Sequence, residues 1–592
     1  MTVHHLYQTA LLGLLLCIPG CGRQSASRPT PGHAVPQPPL VSKGEAGQRG
    51  GRFTIAIAGS PQTFNPLFAF DGASDAVTRM LFSSLIRLDL VTHEPGPGLA
   101  ESWSVETDQK TWTFKLRQGL RWSDGEPLTA ADVAFTWNEV MYNPDYNHFT
   151  YELFRAHGQN CIVTNLDDVT VRVITPEIFA PFVEFFGSVA ILPKHALESA
   201  AKNRRFPHVY AVTNRPGTIV GSGPYRVKEM QPAKFTLLEA NPEYWMTDKE
   251  GRRLPYFDEI MFISVGRAGN EVGLFLSGKS DVCETLRGEN LAQVRQAAAN
   301  GKFKLLELGV GTERDFIWFN QNTGSNAAGK PVVNPAKLKW FRNKKFHQAV
   351  SCALDRERLA REAYNGSAQP IYGFLSTENP KWNNPNIPKF SYDPARAKAL
   401  LAEIGIQDRK GSGMLEDADG NPMEILFNSN TGNPMREKAA LIIQEDLKKI
   451  GIILTYVRVD FRTLLEKVNG TFDYECALMG LGGGGVDPAS QLNVLRSSEE
   501  LHQWFPFQKT PSTDWEGRID ALMEVQMRTL DFAQRKNAFD EVQAILADEL
   551  PMIYTVSPFA FAAIHSNIGN VRPSVLTPYR VTWNIEELYL KK

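Results

Sequence analysis

Trp112, Phe114 and Leu116 alternate with Thr113, Lys115 and Arg117, the two-residue period of a half-buried strand. Gly119 interrupts the pattern, and Ser123, Asp124, Gly125 and Pro127 supply turn chemistry. Apolar positions then return at helical spacing (Val133, Trp137, Val140, Met141), behind Thr129 as N-cap with Asp132 three residues on. The stretch reads as strand, turn and capped helix. Elsewhere alternation predicts strands over 52–58, around 169–174 and over 257–265. Residues 76–90 read as a helix leading into a strand. Ala439, Ile442, Ile443, Leu447 and Ile450 form an apolar helical stripe closed by Gly451, followed by a strand over 452–459. No internal repeat is visible.

A chain of 592 residues is too long for one core, so two or three packed units are expected. Its net charge of −2 removes any bulk electrostatic argument for a nucleic-acid or anionic-membrane partner. The body has no run of ~20 apolar residues, the length a bilayer span needs. Residues 10–18 form a short apolar run, the size of a signal-peptide core, ending in Ile18-Pro19-Gly20-Cys21. This ending resembles the lipobox of bacterial lipoproteins, with Cys21 the acylated residue, although His4 and His5 stand where Lys or Arg is usual. Residues 1–21 are then a signal peptide. Residues 22–51 carry Pro29, Pro31, Pro36, Pro38 and Pro39 and almost no large apolar side chain, the composition of a flexible tether.

The run from Gly98 to Val140, GLAESWSVETDQKTWTFKLRQGLRWSDGEPLTAADVAFTWNEV, closely resembles the signature of the bacterial extracellular solute-binding proteins of family 5, which include oligopeptide-, dipeptide- and nickel-binding receptors. Further matches follow in order: the opening loop at Pro61–Ser74, Leu192-Pro193-Lys194-His195, Gly221-Ser222-Gly223-Pro224-Tyr225, Asn241–Trp245 and Phe316–Asn320. Phe341–Asp355 resembles another family block, with His347 where the family usually has Arg. The resemblance covers about residues 52–590. It implies an α/β, two-lobed periplasmic-binding-protein fold with two hinge strands and an extra subdomain in lobe one. The expected division is lobe one over 52–312 with its inserted subdomain at about 81–215, lobe two over 313–556, and a return to lobe one over 557–592. The implied role is ligand capture without chemistry: a monomeric, exported receptor for an oligopeptide or similar small solute, serving an ABC permease, with no cofactor.

Several tempting motifs fall away. Gly273–Ser280 fits the pattern GxxxxGKS, but residues 271–277 read as a helix with Gly278 where its C-cap belongs, not as a phosphate loop leaving a buried strand. Asp417-Ala418-Asp419-Gly420-Asn421 has too few oxygens at calcium-loop positions and reads as a hairpin turn. His195 has no Cys or acid at ligand spacing and marks a helix start rather than a metal site. Cys161, Cys283, Cys352 and Cys476 are far apart and are expected as buried free thiols; any disulfide would have to come from three possible pairings.

The resemblance places the ligand between the lobes. The wall from lobe one is expected at Phe70, Asp71, Gly72 and Ala73, with Phe149 and Tyr151 as cleft aromatics. The wall from lobe two is expected at Leu481, Gly482, Gly483, Gly484, Gly485, Val486 and Asp487, with Trp504 and Tyr554 nearby. Asp487 either meets the ligand or caps a helix starting at Pro488. Aromatics such as Trp504 and Phe507 look the same in sequence whether they line a rim or fill a core. In peptide-binding members an aspartate four residues before that proline holds the ligand's amino terminus; here the position is Gly484. Losing it should disfavour free-amine dipeptides, unless Asp487 or Asp71 takes over, and favour longer or blocked peptides or a saccharide. A second function class, an exported hydrolase, would use Asp71 and Asp487 as a carboxylate pair.

Overall fold

The computed structural model describes residues 32–146, 155–156, 159–266, 269–326, 328–482, 486–576 and 578–592. Three sheets organise them. The largest is mixed and runs, in spatial order, Tyr225–Gln231, Phe235–Ala240, Glu259–Val265, Arg52–Ala58, Val282–Cys283, Val556–His565 and Phe303–Val310. Arg52–Ala58 lies parallel to Glu259–Val265, and the long strand Val556–His565 runs antiparallel to Phe303–Val310. A four-stranded antiparallel sheet, Ala100–Val105, Thr111–Leu116, Thr170–Ile174 and Ile162–Asn165, forms an insert in this half. The other half is built on five strands in the order Ile453–Val459, Glu424–Asn430, Cys476–Leu481, Arg314–Phe319 and Met552–Tyr554.

Local chemistry accounts for these elements. In Thr111–Leu116 the side chains of Trp112, Phe114 and Leu116 are buried and Lys115 is exposed, the alternation of a one-faced strand. The helix after it opens with a full capping box: the Thr129 hydroxyl accepts from the Ala131 N–H, and Asp132 accepts from the Thr129 N–H at 2.8 Å. It then widens into a π turn over Thr136–Met141, where the Thr136 hydroxyl donates back to the Asp132 carbonyl. Two helices end in Schellman motifs that need a left-handed glycine. At Gly451 (φ 91) the N–H donates to Lys448 O, and Ile452 N to Leu447 O. At Gly278 (φ 73) the bonds run to Phe275 O, and from Lys279 N to Leu274 O. The GxxxxGKS match is thus a helix end. Asp417 likewise closes a turn, its carboxylate accepting from the N–H groups of Asp419 and Asn421. The helix Gly72–Leu81 starts four residues before the predicted one because Asp71 caps it.

The chain crosses between the two halves twice, at 311–313 and at Thr555, and the crossings are bonded to each other. Gly311 N donates to Pro558 O at 2.8 Å, Thr555 N to Asp315 O at 2.9 Å, and the Ser557 hydroxyl to Gly311 O at 2.9 Å. Two short antiparallel crossings held this way can bend together without losing their register.

One expectation needs correcting. Residues 32–51 do not hang free. Gln37 pairs with Gln118 in a β-bridge, Leu40–Val41 runs parallel to Met246–Thr247, and the Arg117 guanidinium donates to Pro38 O at 2.6 Å. The proline-rich composition correctly signals that this segment builds no core of its own. The body supplies partners for its backbone instead, which composition does not reveal. The four cysteines in the described residues are all free; Cys283, Cys352 and Cys476 are buried.

Candidate binding cleft

The helix Phe182–Gly187 shows how the insert builds one wall of the site. Phe182 and Phe186, one turn apart, are buried: Phe186 stacks on Trp137 with ring centroids 4.0 Å apart, and Phe182 lies 5.1 Å from Trp112. Helical spacing therefore turns Glu184, Phe185 and Ser188 the other way, and all three line a cavity of about 720 Å³. That volume suits a small ligand or a short chain of residues. A second wall is the helix Gly72–Leu81, whose Asp75 and Arg79 reach the same cavity. The Tyr579 hydroxyl donates to Asp75 at 2.6 Å, and the Arg79 guanidinium sits 4.0 Å over the Tyr579 ring. Burial, and then the Asp75 charge, hold the Tyr579 phenol well above its ordinary range. Trp583 closes the third side, its indole N–H donating to Arg572 O.

Lobe two contributes Ser490 to this cavity. Ser490 rides on the turn Pro488–Gln491, which Asp487 caps by accepting from the Ala489 N–H at 2.9 Å. Asp487 also accepts from Arg535 at 2.6 Å and from Gln526 at 3.1 Å. On the other side of the turn, Val486, Asp487 and Gln491 line a pocket of about 30 Å³, shared with His93 of lobe one and Thr312 of the first crossing. The lobes touch beside the cavity: Lys381 pairs with Glu94 at 2.8 Å, Ala180 N donates to Met527 O at 2.7 Å, and Arg528 pairs with Glu177. The described arrangement is therefore one in which the two lobes touch beside an open cavity.

These contacts sort the site residues read from sequence. Phe70 is 61% exposed and lines the large cavity. Asp71 spends its carboxylate on the Ser74 N–H and hydroxyl; Gly72 is exposed and Ala73 is buried, and none of the three lines the cavity. Leu481 is half-buried opposite Arg314, and Gly482 is exposed. Val486 and Asp487 are buried at the lobe interface. Phe149, Tyr151, Gly483, Gly484 and Gly485 lie outside the described residues. Two readings are corrected. Trp504 is fully buried in lobe two because its indole N–H has found the buried Glu516 carboxylate, 2.9 Å away. Tyr554 is buried too, packed on Phe316 and Phe374. Glu184, Ser490, Arg79 and Trp583 were not read from sequence. The one available signal was Glu184 itself, a lone charge inside the aromatic run 179–190.

Asp71 and Asp487 each spend their carboxylates at a helix or turn start, and neither lines the 720 Å³ cavity. Among the described residues, no group of three or more His, Cys, Asp or Glu is placed to hold a metal ion, and no helix is long and apolar enough to cross a membrane.

The sequence profile of the bacterial extracellular solute-binding proteins, family 5 Middle, matches residues 94–502. The chain belongs to that family. Its relatives include the oligopeptide-binding protein AppA of Bacillus subtilis, 28% identical over 564 residues and 92% of each chain. A probable ABC transporter-binding protein of Deinococcus radiodurans is 28% identical over 536 residues, 86% of each chain. Among solved structures, Bacillus subtilis AppA in complex with a nonapeptide matches with a TM-score of 0.68 and 26% identity, over 92% of this chain and all (100%) of the other. The periplasmic binding protein MelB of Agrobacterium fabrum in complex with stachyose matches in fold, with a TM-score of 0.72 and 20% identity over 94% of this chain and 88% of its own. Family and relatives are binding proteins, and the two-lobed α/β architecture is the one their structures share.

Proposed function

We propose that this protein is the substrate-binding receptor of an ABC importer, holding a peptide-like or similar small solute between its lobes for a membrane permease and releasing it unchanged. The observation that carries the reading is the 720 Å³ cavity lined by lobe one and its insert, to which lobe two brings Ser490. A ligand that touches both walls favours the closed arrangement, and one that touches a single wall does not. The peptide class draws support from the AppA relatives; the saccharide complex of MelB keeps oligosaccharides in the trial panel. The direct test is mass spectrometry of what co-purifies, followed by calorimetry with that compound. Stoichiometric binding with recovery of unchanged ligand supports a receptor; turnover to product overturns it.

We read the protein as a monomer that is exported and held on the outer face of a membrane by a lipid on Cys21. A chain pair at Cys21 is enough for stable anchoring. Cys21→Ser should move the protein from the detergent phase to the aqueous phase in a partitioning assay, or leave it unprocessed, with ligand affinity unchanged. Retention of the variant in the detergent phase would refute the lipid assignment.

Closure should pivot on residues 311–313 and Thr555. Small-angle scattering should show a smaller radius of gyration with saturating ligand than without it. Superimposable curves would rule the hinge motion out.

A further inference from the structure

Glu184 differs from Asp75 and Glu586, the other acids that line the 720 Å³ cavity. Asp71 caps a helix, Asp75 accepts from Tyr579, Glu586 pairs with Arg87, and Asp487 is held by Arg535, Gln526 and a backbone N–H. Glu184 has no hydrogen bond or ion pair to any described residue, though it lines the 720 Å³ cavity. The charges that act on it are Asp487, Lys381, Arg535 and Glu94. The two cations among them are already matched, Arg535 by Asp487 and Lys381 by Glu94. An unmatched carboxylate thus lines the cavity from the insert side, and the rings of Phe70, Phe185 and Trp583 line the same cavity.

We propose that Glu184 is the cation anchor of the site, forming a charge-assisted hydrogen bond with an ammonium group of the bound solute. The proposal rests on the receptor reading above and narrows its substrate class to amine-bearing solutes, a peptide's amino terminus or a lysine-like side chain. It also supplies, from lobe one, the negative charge that Gly484 lacks in lobe two. Burial first, and the facing Asp487 second, raise the Glu184 carboxyl to about 7, with Lys381 and Arg535 opposing them. A bound ammonium favours the ionised form. Binding near pH 6.5 should therefore release part of a proton; affinity for a lysine ammonium should climb between about pH 6 and pH 8 and then level off, whereas affinity for a peptide's amino terminus should climb from about pH 6 and fall again as that amine loses its proton near pH 8.

The experiment is calorimetry of the full protein and of Glu184→Gln, an isosteric change that keeps the fold. The probes are Ala-Phe-Ala, N-acetyl-Ala-Phe-Ala, N-acetyl-Ala-Lys-Ala and raffinose, each in two buffers of different ionisation enthalpy. The expected result is that at least one ammonium-bearing probe binds the native protein tenfold or more tightly than N-acetyl-Ala-Phe-Ala. Glu184→Gln should erase that preference, the proton release and the rise with pH. The two ammonium sources separate directly: loss on acetylation names the amino terminus, and recovery with lysine names the side chain. Equal affinity for charged and acetylated neutral peptides, or for raffinose alone, would overturn the anchor while leaving the receptor reading intact. An unchanged preference in Glu184→Gln would do the same. Absence of binding to all four probes, with nothing co-purifying, would count against both.

Discussion

Glu516→Ala is expected to cost lobe two about 3–5 kcal/mol, the range for uncovering a buried, hydrogen-bonded charge. The carboxylate is 1% exposed and gathers five side-chain partners: His502, Trp504 and Gln508 on one oxygen, Ser512 and Thr513 on the other, at 2.7–3.2 Å. Removing it leaves those donors without an acceptor, each at a penalty of about 1–3 kcal/mol where water cannot enter. Burial pushes the carboxyl upward, yet the bonds from His502, Gln508, Thr513 and Trp504 outweigh it and bring it down to about 2 from an ordinary 4.5. A depressed folded-state value means stability that is complete above about pH 5 and disappears as pH falls toward about 2. The difference of about 2.5 units corresponds to about 3 kcal/mol. Urea melts of the native protein from pH 7 to pH 3 should show this loss, and Glu516→Gln should flatten part of it. A melting midpoint for Glu516→Ala within experimental error of the native one would sink the account.

Arg535→Ala should be comparably destabilising and should also blunt binding. The Arg535 guanidinium bonds to Asp487 at 2.6 Å and to Gln526 O at 2.8 Å and lies over the Trp382 ring. Without it Asp487 is a buried, uncompensated charge, a loss of about 3–5 kcal/mol. Asp487 is also what starts the turn carrying Ser490, so the lobe-two wall should loosen with the pair. Asp487→Asn keeps the capping oxygen and should cost less. Combining it with Arg535→Met should recover stability relative to the sum of the single changes, the mark of a direct coupling. Simple additivity in a double-mutant cycle by urea denaturation would show that the pair does not act as one.

Elements governed by local period and capping were legible beforehand. Phe114 sits where alternation puts it, Thr129 and Asp132 form the box their spacing predicts, and Gly278 ends a helix as its surroundings require. Features that depend on partners distant in sequence were not. Trp504 reads equally well as rim or core until Glu516 is placed beside it. Asp487 resolves into a cap and an ion pair only once Arg535, 48 residues away, folds back onto it. Glu184 stood in view as one acid among phenylalanines, but its lack of a partner is a fact of three dimensions. Residues 32–51 failed in the opposite sense: their composition is that of a linker, and their hydrogen bonds are those of a fixed strap.

That strap sets the mechanics of any anchored form. It is bonded to lobe one and its insert only, through Glu243, Gln118 and Met246–Thr247. With the lipid on Cys21, only ten residues separate the lipid from the strap, a reach of at most about 35 Å. Lobe one becomes the stator, parked within a few nanometres of the membrane, and lobe two the rotor that swings on the double crossing. A permease partner would then meet a receptor presented by a preferred face instead of one tumbling freely at the end of a long thread.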